Sequence, residues 1–186
     1  MLKTISTLAA AVLIAGVALA ADAPLNGFTR DGNDDLFGYY MSSTPVRAGK
    51  MELDHMHIGM KEDLVKWEKG TGRLDTYAPI MFQFIDTGSK MVKNEENGQM
   101  YHQNLPRVLP TAYRIQGNTI AWTGTSKEVG AVSFTGTIDR KKIAKFNAGA
   151  GTEAGPGDTG APVIKGDLIV AGKVFRNIAL SWSGGD

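Results

Sequence analysis

Alternation of apolar and polar positions dominates the chain. In "GAVSFTGTID", residues 130–139, Val132, Phe134 and Ile138 alternate with Ser133, Thr135 and Thr137, the period of two expected of a strand with one buried face. "YRIQGNTIAWTG" sets Gly117-Asn118 between two β-prone runs, which predicts a hairpin with a two-residue turn. "MVKNEENGQMYH" predicts a second hairpin with Asn97-Gly98 at its tip. "VIKGDLIVAGKVFRNIALSWS" adds one or two strands, with Gly166 or Gly172 as a bulge or turn. Helical character is confined to residues 61–69, where Leu64 and Trp67 lie three apart and Gly70 supplies a stop. Glycines scattered elsewhere disfavour long helices, each costing about 1 kcal/mol in a helix interior.

These elements predict an all-β fold: a single antiparallel β-barrel or β-sandwich with one short helix near 61–69. The polar run "NGFTRDGNDD" reads as coil within a flexible N-terminal segment, 21–36. One β domain would then span 37–186. It would carry a Gly-rich loop at 149–162, "GAGTEAGPGDTGAP", joining late strands.

The first twenty residues read as a cleaved secretory signal. Lys3 supplies the positive start, "ISTLAAAVLIAGV" the apolar stretch, and Ala18-Leu19-Ala20 the small-x-small cleavage site. The expected location is periplasmic or secreted, with cleavage near Ala20. The apolar stretch is short for a membrane span of about 20 residues, and no later run approaches one.

Composition narrows the partners. Removing Lys3 from the 20 basic residues leaves 19 against 19 acidic ones, so the mature chain is close to neutral. That argues against nucleic acid or an anionic membrane surface. The chain has no Cys, which removes disulfides and thiolate ligands together.

Familiar motifs fail on context. Gly155, Gly157 and Gly160 match the dinucleotide-binding spacing, but Gly-rich coil precedes them and a strand-like run follows. Asp31, Asn33 and Asp35 open like a calcium loop, but Leu36 replaces its glycine and Ser42 its closing Glu. Adjacent carboxylates such as Glu95 and Glu96 point to opposite sides of an extended chain. No nucleophile elbow, zinc-protease helix or phosphate-binding loop is present.

What remains is "MELDHMHIGM", residues 51–60. On a regular strand Met51, Leu53, His55 and His57 share one face, with the two imidazoles about 6.6 Å apart at Cα. "QMYHQ" offers Met100 and His102 at matching parity. Apart from Met1, every Met and all three His fall between residues 41 and 102. Imidazole with thioether is a copper ligand set, and thioether favours Cu(I). The sequence therefore points to an exported, non-catalytic binding protein. Copper is the first expected ligand and zinc the second, held by His55, His57 and His102 with Met51 or Met100. Met also lines adaptable apolar pockets, so a carrier of a small apolar ligand or lipid is the first alternative. A hydrolase with an unrecognised Ser/His site is the second.

Overall fold

The computed structural model describes residues 25–32, 35–148 and 160–184. The expected signal at 1–20 and residues 149–159 of the Gly-rich loop lie outside the described residues. Strands and helices follow in chain order. These are β1 (Phe28–Arg30), β2 (Gly38–Ser42), β3 (Arg47–Ala48), β4 (Met51–Ile58), α1 (Lys61–Glu68), β5 (Ile80–Asp86), β6 (Met91–Lys93) and β7 (Met100–His102). Then come β8 (Arg107–Val108), β9 (Pro110–Gln116), β10 (Thr119–Ser126), β11 (Gly130–Ile138), α2 (Arg140–Asn147), β12 (Ile164–Val170) and β13 (Lys173–Ser183).

The fold is mostly β, with a curled mixed sheet forming an open half-barrel of ten strands. Its order is β1-β9-β10-β11-β12-β13-β2-β4-β5-β8, and β3 pairs with β4 beside that path. Only Leu109 separates β8 from β9. One chain segment therefore pairs with β5 through Arg107 and Val108, and with β10 through the residues after them.

The turns follow the local chemistry. Gly117, at φ +54°, opens the β9–β10 turn, and a glycine there matches the right-handed twist of its strands. Between β12 and β13 the turn is Ala171-Gly172, both left-handed, while a shift between Gly166 and Leu168 makes Gly166 part of a bulge. Both glycines marked in the sequence thus have a backbone role.

Three expectations change. The sheet is mixed rather than purely antiparallel, because β1 runs parallel to β9. The run expected as coil contains that strand; Phe28 packs against Trp67 and Tyr113. Among the described residues there are two helices, not one. Asp139 caps α2 by accepting from the Lys142 amide, and Ile143 is buried beneath it. Phe146 stacks on Trp182 at 5.1 Å.

Trp122, Tyr40, Tyr113, Phe82, Phe84 and Phe134 are all but fully buried in a single hydrophobic core. Glycine lets these rings pack closely. A Cβ on Gly136 would sit 2.8 Å from the Phe134 ring, and one on Gly166 would meet the same ring. At one end, Glu68 on α1 accepts from Arg30 and from the Tyr113 hydroxyl. This three-way contact joins β1, α1 and β9.

Candidate functional site

The register of β4 decides what its histidines can do. Pairing with β5 passes from Leu53↔Phe84 to His55↔Gln83, so Asp54 is the extra residue of a bulge. A bulge reverses the facing of everything beyond it. Met51 and Leu53 join Met56 and Ile58 in the core, while His55 and His57 face the other way. The single shared face read from an unbroken strand is therefore absent, and Met51 lies apart from the histidines.

His55 and His57 enter a row of polar and aromatic side chains across β8, β5, β4 and β2. Arg107 donates to Gln83, Gln83 donates to Asp54, and Asp54 lies 3.1 Å from His55 Nδ1. The Tyr39 ring lies 5.0 Å from His55 and 4.9 Å from His57, measured between centroids. Phe37 and Tyr77 flank His57 on other sides. His57 Nε2 is 3.3 Å from the Tyr77 hydroxyl, and its Nδ1 has no hydrogen-bond partner among the described residues.

Burial first, then the charges of His55 and Arg107, lowers the His57 pKa to about 4. The ring is neutral at physiological pH. Burial raises the Asp54 carboxyl, but hydrogen bonds from His55 and Gln83 outweigh it and hold the group below its usual range. Among the described residues, no group of three or more His, Asp or Glu is placed to hold a metal ion. Among the described residues, the histidine rings contact the Asp54 carboxylate, the Tyr77 hydroxyl and the Ser89 carbonyl.

His102 belongs to a different place. The β6–β7 hairpin is a separate two-stranded sheet, leaving β5 at Asp86, the residue opposite Met51. His57 is opposite Met81, toward the other end of β5. No hydrogen bond or ring contact links His102 to His55 or His57.

The hairpin gathers its own donors. Met91 is the direct cross-strand partner of His102, and Lys93 of Met100. Directly opposed residues share a face, as do residues two apart on one strand. Met91, Lys93, Met100 and His102 therefore occupy one face, and Val92 and Tyr101 the other. Met91 is 42% exposed and Met100 55%. His102 Nδ1 lies 3.2 Å from the Ser89 carbonyl. A carbonyl only accepts, so Nδ1 carries a proton; in the neutral ring Nε2 then holds the lone pair, the arrangement a metal-ligating imidazole needs.

The hairpin is also pinned at both ends. In the tip, the Asn94 side chain accepts from the Glu96 and Asn97 amides. At the base, the Gln103 amide donates to Lys90, and the Ser89 hydroxyl accepts from the Asn104 amide. Sequence reasoning placed Met100 and His102 here but missed Met91. Centring the hairpin register on "NEENGQ", residues 94–99, would have set Met91 opposite His102. Tyr39, Tyr77, Gln83 and Arg107 left no comparable trace, because their meeting depends on strand order.

No family model, curated protein or solved structure matches this chain.

Proposed function

We propose that this is an exported, non-catalytic binding protein for a soft metal ion, copper first, with His102 and Met100 of the β6–β7 hairpin at the centre of the site. The observation that carries this reading is the shared hairpin face. There an imidazole with its tautomer fixed by Ser89 stands beside exposed thioethers on a clamped support. Exposed Met gains nothing from burial, whereas an available thioether is a copper ligand. The test is copper content of the protein purified from the exported fraction, followed by copper titration of the His102→Ala/Met100→Ala variant. Near-stoichiometric binding lost in the variant supports the reading; binding equal in both rejects it. N-terminal sequencing of the exported chain should begin near Ala21.

A groove of about 540 Å³ favours a second reading, uptake of a small apolar ligand. Leu25, Ile120, Trp122 and Phe134 line it, with threonines of β10 and β11. Its wall includes Ile120, Trp122 and Phe134 of the packed core. Native mass spectrometry of freshly isolated protein should then show a bound apolar molecule, and a consistently bare protein would count against it.

A further inference from the structure

The face that carries Met100 and His102 also holds Met91 and Lys93, and these two residues say which ion it suits. Resting on the metal-binding reading above, we infer that the hairpin is a three-ligand site for a monovalent soft ion, Cu(I), in which Met91 supplies the third donor and Lys93 discriminates against divalent ions.

The donor count follows from the register. Directly opposed residues such as Met91 and His102 have Cβ atoms about 4.5–5.5 Å apart, and diagonal neighbours such as Met91 and Met100 about 7–8 Å at most. Both separations fall within reach of two flexible Met side chains and one imidazole closing on an ion at lengths like those of zinc–nitrogen and zinc–sulfur bonds, about 2.0–2.3 Å. The Nδ1 contact to Ser89 leaves Nε2 as the free nitrogen. Two sulfurs and one nitrogen result. The face contains no carboxylate, the ligand type that harder divalent ions prefer.

Lys93 adds the charge argument. It pairs with Met100 on this face, is exposed, and makes no ion pair among the described residues. If its ammonium comes within about 7 Å of the ion, in water, it opposes each unit of ion charge by roughly threefold in affinity, and a dication by roughly tenfold. A site built only for tight metal capture gains nothing from such a residue. One built to choose between oxidation states does.

The experiment uses the full exported chain under anaerobic conditions. Cu(I) affinity is measured by competition with a chromogenic Cu(I) chelator. The proteins are wild type, Met91→Leu, Met100→Leu, His102→Ala and Lys93→Gln, with folding checked by circular dichroism. Met91→Leu should weaken Cu(I) at least tenfold, as Met100→Leu does. X-ray absorption at the copper edge should count two sulfurs and one nitrogen in the wild type and one sulfur in either Met variant.

Lys93→Gln should tighten Cu(I) about threefold. Wild-type affinity should rise with perchlorate concentration as the repulsion is screened, and the dependence should vanish in Lys93→Gln. Wild type that binds no copper beyond the His102→Ala/Met100→Ala level removes the metal reading itself. Copper bound through His102 with Met91 dispensable overturns the three-ligand site. An unchanged salt dependence in Lys93→Gln overturns the charge discrimination.

Discussion

Met91 and His102 face each other across the two strands of a hairpin that stands outside the main sheet. Neither residue owes its position to the hydrophobic core. Both owe it to the hairpin's register, which the Asn94 side chain helps to fix by holding the amides of Glu96 and Asn97. Asn94→Ala removes both contacts without touching a donor. It should weaken Cu(I) binding about fivefold, since a looser turn must be ordered on binding at a cost near 1 kcal/mol per residue fixed. Hydrogen exchange should quicken in 91–102 while β9 to β13 keep their protection. Quicker exchange throughout the sheet would show the hairpin to be part of the main cooperative unit.

Glycine packing gives a prediction for the main sheet. Gly136 is not among the left-handed glycines, so its role is one of space: a methyl group would press on the Phe134 ring and on the Lys165 carbonyl of the adjacent strand. Neither neighbour can retreat, because Phe134 is buried and the carbonyl belongs to β12. Gly136→Ala should cost about 2 kcal/mol, the range for overfilling a packed core. Urea unfolding would measure this, and a midpoint within error of wild type would contradict it.

Much of the sheet was readable from alternation, because period two is a local property that pairing merely exploits. Val132, Phe134 and Ile138 face the core as the pattern requires, and the turns at Gly117 and Gly172 fall where glycine sits. Helix α2 was legible in principle from Asp139, Ile143 and Phe146, but it is short and its polar residues resemble a loop. The parallel pairing of β1 with β9 was not legible, since it joins residues far apart in sequence. The Asp54 bulge was hidden for a different reason. Nothing in "MELDHMHI" says which residue is extra; the partner strand decides, and one residue moved both histidines to the opposite face.

A local test of strain lies at the β12–β13 turn. Ala171 adopts φ +48°, a left-handed conformation that costs a residue with a Cβ about 1 kcal/mol relative to glycine. The net effect of Ala171→Gly is that relief less the greater freedom glycine gives the unfolded chain. A stabilisation of about 0.5 kcal/mol should appear in urea unfolding. Destabilisation would mean that the Ala171 methyl, 3.5 Å from where a Gly130 side chain would begin, contributes packing that outweighs its strain.

His57 sets the pH response of folding. The ring is 5% exposed, and burial together with the His55 and Arg107 charges brings its pKa to about 4, against about 6.5 in an unfolded chain. The folded state therefore resists a proton that the unfolded state accepts. The resulting stability is complete above about pH 6.5, falls as the pH drops toward 4, and is gone below that; its size is on the order of 3 kcal/mol. Asp54 and Asp86 act lower on the scale. For Asp86, the Lys50 contact outweighs burial and holds the carboxyl below its usual range. Their loss belongs below about pH 4, where the unfolded carboxylates also protonate. The two windows separate the causes. His57→Phe should flatten stability between pH 4 and 6.5 and leave the steeper acid limb in place, as followed by urea unfolding at half-unit steps. A slope unchanged in that variant would assign the loss to another group and would mean that His57 takes its proton without disturbing Tyr39 or Tyr77.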